Sequence, residues 1–85
     1  MNLIWHPKAW EDYLYWQTND KKILKKTNNL IKDTVRSPFE GLGEPEPLKH
    51  RWSGYWSRRI TKEHRLLYKA NDEGLFIIQC RFHYD

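Results

Sequence analysis

Glu46, Arg65 and His83 offer a carboxylate, a guanidinium and an imidazole from three separate stretches of an 85-residue chain. Those groups suit one chemistry in particular: cutting RNA without a metal, by attack of the RNA's own 2′-hydroxyl on the adjacent phosphate. The reaction needs a base for the 2′ proton, a cation for the charge on the phosphorane, and an acid for the departing 5′ oxygen. Arg65 fits the clamp, because a guanidinium stays charged and presents several donors to phosphate oxygens. His83 alone of the three has an unperturbed pKa, about 6.5, near neutrality. Lys49, Arg59, Arg81 and Tyr84 are expected to surround the site. Taken singly, each residue has a plainer reading. Glu46 is one of three glutamates in a polar loop, His83 would pass for a surface strand histidine, and Arg65 could pair with Glu63 or Asp72 in an exposed contact worth about 0–1 kcal/mol.

The trio converges only if the last strands have the right parity. The apolar run Leu75-Phe76-Ile77-Ile78 predicts a final strand over Leu75–Tyr84 that anchors His83 and Tyr84 on a sheet. Asn71-Asp72-Glu73-Gly74 before it is a turn signal. A type I turn with Gly74 left-handed makes a three-residue loop, so that Asn71 faces Leu75. Arg65 then stands opposite Arg81 and one diagonal step from His83, on the same face. A two-residue loop would send Arg65 and His83 to opposite faces. The preceding hairpin, around Lys62-Glu63, leaves the orientation of Arg59 open.

Upstream, Asn2-Leu3-Ile4-Trp5 reads as a first strand. Pro7 suits the first turn of a helix, with Trp10, Tyr13, Leu14 and Gln17 at helical spacing up to Thr18-Asn19. Asp20 is the expected N-cap of a second helix, whose apolar stripe is Ile23, Leu24, Thr27, Leu30, Ile31 and Thr34. Arg36-Ser37-Pro38 stops it. Residues 38–47 have no period and form an ordered-looking loop anchored by Phe39 and Leu42. Strands are expected at Leu48–Trp52, Tyr55–Thr61 and His64–Ala70. The order β-α-α-β-β-β-β predicts an α+β fold: an antiparallel-dominated twisted sheet with both helices packed on one face.

Residues 1–85 make a single domain, and at this length only about 60–65% of the unfolded surface is buried. Five Trp, five Tyr and three Phe supply the density such a core needs, with Trp5, Trp10 and Trp16 read as core. The net charge of +4 and pI near 9.3 suit a polyanionic partner without demanding one. The lysine-rich surface of the second helix is a solvated face by default and a phosphate-backbone contact in the functional reading. The single cysteine, Cys80, excludes an internal disulfide and reads as a buried, inert thiol. No signal peptide or membrane-length apolar run is visible, which predicts a cytoplasmic protein with no membrane association. His6, His50 and His64 lack metal-site spacing, so no metal and no cofactor are expected.

Glu-Pro-Glu-Pro-Leu-Lys-His (44–50), Ser-Gly-Tyr-Trp-Ser-Arg-Arg-Ile (53–60), Glu-His-Arg-Leu-Leu-Tyr (63–68) and Cys-Arg-Phe-His-Tyr (80–84) together resemble the YoeB-like toxins of the RelE/ParE superfamily. Leu-Ile-Trp near the start and Trp-Glu-Asp-Tyr-Leu-Tyr-Trp-Gln (10–17) extend the likeness over the whole chain in one register. The resemblance implies a RelE-like microbial RNase fold and a ribosome-dependent mRNA endonuclease that cleaves A-site codons and stops translation. It implies the base at Glu46, the clamp at Arg65 and the acid at His83, with Lys49, Arg59 and Tyr84 at supporting positions. Its implied partners are mRNA in the ribosomal A site, rRNA, a YefM-like antitoxin and a second copy in a homodimer. Operator DNA would be met only through the toxin–antitoxin complex.

Two departures stand out. Phe82, expected on the core side, replaces a common Tyr, and Asp85 adds a carboxylate after Tyr84 that could raise the pKa of His83 or repel phosphate. Two other functions compete. One is a binding module that blocks RNA or the ribosome without cutting, for which the basic surface would suffice. The other acts on a DNA topoisomerase, as some RelE-superfamily members do, but those lack this catalytic set.

Overall fold

In the computed structural model, which describes residues 1–84, the chain runs β1 (Leu3–Trp5), α1 (Pro7–Asn19), α2 (Lys21–Arg36), β2 (Glu46–Pro47), β3 (Trp56–Arg59), β4 (Arg65–Asn71) and β5 (Gly74–Gln79). The strands form a mixed sheet in the order β1-β5-β4-β3-β2. β1 is parallel to β5 and the other pairings are antiparallel. This is the expected α+β order. The expectation for Asp85 falls outside the described residues.

Local chemistry sets the helix boundaries. The His6 ring accepts the Lys8 backbone N–H at 3.2 Å, and Pro7 opens α1. Asp20 serves both helices. Its N–H donates to the Trp16 carbonyl to close α1, while its carboxylate accepts the N–H groups of Lys22 and Ile23 to open α2. The expected stripe of α2 is its packed face, with Thr27, Leu30, Ile31 and Thr34 buried. α1 is rotated from expectation: it buries Ala9, Asp12 and Trp16, while Trp10 and Leu14 stay 45% and 43% exposed. Polar anchoring explains the rotation. The Asp12 carboxylate accepts the Cys80 N–H at 3.1 Å and the Trp16 indole donates to the Cys80 carbonyl at 2.9 Å. That clasp encloses the Cys80 thiol, whose pKa burial pushes up to about 12.

Ala9, Trp16, Leu30 and Ile31 of the helices meet Leu66, Tyr68, Leu75 and Ile77 of the sheet, with Ile60 and Cys80 just past the ends of β3 and β5, in one core. Arg58 also points into this side, 0% exposed and paired with Asp33 of α2 at 2.7 Å.

Three expectations need correction. Leu48–Trp52 is not a strand: the ladder closes with the Leu48 N–H on the Tyr55 carbonyl, and His50 at φ 57 opens a short 3-10 turn over His50–Trp52. Only Leu48 and Trp52 of those five residues are apolar, too weak a pattern to outweigh the loop that the hairpin requires. The final strand ends at Gln79 rather than Tyr84. The last turn is a two-residue loop, with Asn71 facing Gly74; the Asn71 side chain accepts the Glu73 N–H at 2.8 Å. Gly74 is required because a Cβ there would sit 2.5 Å from the Asn2 carbonyl oxygen of β1. A register shift follows, from Tyr68 opposite Ile77 to Leu67 opposite Gln79. The extra residue of that bulge restores the parity that the shorter loop would have lost.

Candidate active site

Alternation along the strands decides which side chains face away from the helices. Leu66 and Tyr68 enter the core, so Arg65 and Leu67 turn to the opposite face. Arg59 pairs with Arg65 and Ser57 with Leu67, and Glu46 pairs with Ser57. Because Arg58 takes the core side, Arg59 shares the open face with Arg65. Strands about 4.8 Å apart, rising about 3.4 Å per residue, put the Glu46 backbone about 10 Å across and one two-residue step along from Arg65. Side chains as long as glutamate and arginine can close on a phosphate across that gap.

The imidazole arrives from a turn beyond β5. Phe82 sits at φ 67; its N–H donates to His64 Nδ1 at 2.8 Å and its carbonyl accepts the Arg65 N–H at 3.1 Å. The Gln79 amide donates to the carbonyls of Arg81 at 3.2 Å and His83 at 3.0 Å. His83 and Tyr84 thereby join Glu44, Glu46, Ser57, Arg59 and Arg65 around a cleft of about 160 Å³. The Arg65 guanidinium is held by its Nη1, which donates to the Thr61 carbonyl at 2.6 Å and those of Lys62 and His64 at 3.2 Å.

Of the residues singled out in the sequence, Glu46, Arg59, Arg65, His83 and Tyr84 therefore line one cleft. Lys49 lies in an adjoining groove that shares Glu46 and Tyr84 with it. Arg81 is not brought in. Its guanidinium lies 3.4 Å from the Tyr15 ring centroid and 4.4 Å from that of Phe82, because the chain has left the strand and alternation no longer aims it beside Arg65. Phe82, expected on the core side, is 52% exposed for the same reason. Three residues at or near the cleft carry no site assignment in the sequence reading. Glu44 adds a second carboxylate, for which the Glu-Pro-Glu spacing was the available signal. Gln79 was visible only as an amide inside an apolar run, and His64 only as a histidine at a strand start. Among the described residues, no His, Cys, Asp or Glu group of three or more could hold a metal ion.

His64 supplies a pH dependence. Burial lowers its pKa from the ordinary value, Glu63 opposes this and Arg81 reinforces it; the neutral ring is also the form that can accept the Phe82 N–H. Between the lowered folded value and the ordinary one of about 6.5, the unfolded chain binds more protons, so stability falls as pH falls through that window. Thermal melts at pH 7.5 and pH 5 should show this loss, and His64→Gln should reduce it. An equal loss in the variant would remove His64 as the cause.

Two helices on one side of a mixed sheet, with a cleft of carboxylates, guanidiniums and imidazole on the other, make this a small α+β domain with a charged open face. The chain matches the family of YoeB-like toxins of bacterial type II toxin–antitoxin systems over residues 5–84. It is 64% identical to Toxin YoeB of Escherichia coli strain K12 over 84 residues, spanning 99% of this chain and 100% of that one. A YoeB/ParE toxin from Agrobacterium tumefaciens superposes with a TM-score of 0.94 at 51% identity, covering 99% and 100% of the two chains. Toxin chains in a YoeB dimer and a YoeB–YefM complex from Staphylococcus aureus give TM-scores of 0.91 and 0.90 at 48% and 47% identity, each covering 99% of this chain and 98% of the other. The chain belongs to the YoeB-like toxin family.

Proposed function

We propose that this toxin is a metal-independent endoribonuclease that cleaves mRNA in the ribosomal A site and so inhibits translation. The supporting observation is that Glu46, Arg65 and His83, distant in sequence, line one small cleft on the open face of the sheet. Glu46 takes the 2′-hydroxyl proton as that oxygen attacks the neighbouring phosphorus. Arg65, with Arg59 beside it in register, stabilises the charge that builds on the phosphorane oxygens. His83 donates a proton to the leaving 5′ oxygen. Tyr84 closes the cleft, and Lys49 meets the RNA backbone next to it. The basic surface is directed to rRNA, where each neutralised phosphate adds salt dependence. A YefM-like antitoxin and a second toxin copy are the protein partners, supported by the Staphylococcus aureus complex and dimer; operator DNA is reached only through the antitoxin complex.

The products test the chemistry. Programmed ribosomes treated with the toxin should yield one fragment ending in a 2′,3′-cyclic phosphate or its 3′-phosphate hydrolysis product, and another starting with a 5′-hydroxyl. A 2′-deoxy nucleotide at the cut should abolish turnover. A 5′-phosphate fragment, or cleavage that survives the 2′-deoxy substitution, would overturn the mechanism.

A further inference from the structure

The cleft is smaller than a nucleotide needs. At about 160 Å³ it falls below the roughly 300–1,000 Å³ of pockets that enclose whole ligands, so it has room for a phosphodiester but not for the flanking bases. The adjoining groove is about 670 Å³ and shares Glu46 and Tyr84 with the cleft. Its wall combines Leu48 and the Trp52 ring with the basic side chains of Lys49 and Arg51. The 3-10 turn fixes this surface. The indole meets Tyr55 edge-on, with ring centroids 5.5 Å apart and planes at 87°, and the Arg51 guanidinium lies 5.4 Å from the indole centroid. A planar apolar wall flanked by cations is what an unpaired base and its phosphate recognise, through stacking and charge.

We propose that this groove is a nucleobase subsite in which Trp52 stacks on the base of a nucleotide flanking the scissile phosphate. The assignment rests on the cleavage reading above and names a further part of its substrate. Continuity with the cleft favours RNA over a peptide: a strand whose phosphate reaches Arg65 must pass its next nucleotide across Glu46 or Tyr84. Stacking is tolerant of base identity, so the subsite adds affinity without choosing a codon.

The experiment measures cleavage on programmed ribosomes with Trp52→Ala and Trp52→Phe, on mRNAs carrying an abasic nucleotide 5′ or 3′ of the cut. Trp52→Ala should raise the half-saturating concentration about tenfold, the size of one base stack, and leave the maximal rate unchanged. Trp52→Phe should stay near the parent. An abasic nucleotide at one flanking position should cost the parent about as much as the alanine variant loses, and cost that variant nothing more. Trp52→Leu, apolar but ringless, repeats the comparison if alanine unfolds the turn. The same abasic penalty in parent and variant overturns the subsite, as does unchanged cleavage accompanied by a weakened antitoxin complex, which would give the groove to protein. If the parent cuts no ribosome-bound mRNA, the cleavage reading itself falls and the subsite with it, a result distinct from cleavage that ignores Trp52.

Discussion

Arg58→Leu is expected to cost the fold about 3–5 kcal/mol, the range for removing one partner of a buried ion pair. The side chain is 0% exposed, and all five of its donor positions are used. Nη1 donates to Asp33 at 2.7 Å and to the Leu42 carbonyl at 3.0 Å. Nη2 serves the carbonyls of Ser37 and Glu40, and Nε the Tyr68 hydroxyl at 3.2 Å. Leucine would leave the Asp33 carboxylate without its buried counter-ion and release the loop carbonyls that the guanidinium gathers. A domain with about 5–15 kcal/mol of total stability has little reserve against that. The same loop continues to Glu44 and Glu46, so the lesion would loosen the cleft before the chain unfolds. Adding Asp33→Leu should recover part of the loss, because no uncompensated charge remains. The acid limb should move as well. The Leu42 N–H first and Arg58 second hold the Asp33 carboxyl below its usual value, so its contribution is present at neutral pH and lost only as pH falls through the depressed value. Without Arg58 that loss should begin nearer the ordinary carboxylate value of about 3.9. Urea midpoints across pH for the parent, single and double variants measure both effects. A single-variant loss under about 1 kcal/mol, the scale of an exposed pair, would refute the burial argument.

What could be read in advance follows from where each signal resides. Caps and periodicity are local, so Pro7, Asp20 and the stripe of α2 suffice to place both helices. The face that α1 buries was not local. It depends on Asp12 and Trp16 finding Cys80, a contact across more than sixty residues. Parity was legible only through two deviations that offset each other. The expected three-residue turn is a two-residue one, and the bulge between Leu67 and Tyr68, opposite Ile78, puts back the residue that the turn omits. Turn and alternation rules do not locate such a bulge, because it leaves no residue signature in the apolar run Leu75–Ile78. Arg58 went unread for a related reason. Trp56, Arg58 and Ile60 share one face by alternation, but an arginine argues against that face being the core until Asp33 is seen opposite it. Arg81 shows the limit of extrapolating a strand past its end.

Arg65→Ala should lower the single-turnover cleavage rate by about 10²–10³, the loss typical of removing a preorganised donor to transition-state charge. Stability should change little beside that, since the hydrogen bonds that hold Arg65 run to loop carbonyls of Thr61, Lys62 and His64. Arg65→Lys should recover only part of the rate, because an ammonium is a point charge without the planar fork. His83→Gln and Glu46→Gln should each cost about 10²–10⁴ as losses of proton transfer, and the double variant should lose less than the product of the two, as groups acting in one step do. Glu44 makes the base assignment a sharp test, because it lines the same cleft and differs from Glu46 in backbone setting. It sits at φ 53 in the loop, whereas Glu46 is pinned by β2 pairing opposite Ser57. A base must hold its position through the transition state, so Glu44→Gln should retain most of the rate that Glu46→Gln loses. Equal losses from the two would mean that the carboxylates share the proton as a coupled pair, and a single base at Glu46 would no longer describe the reaction.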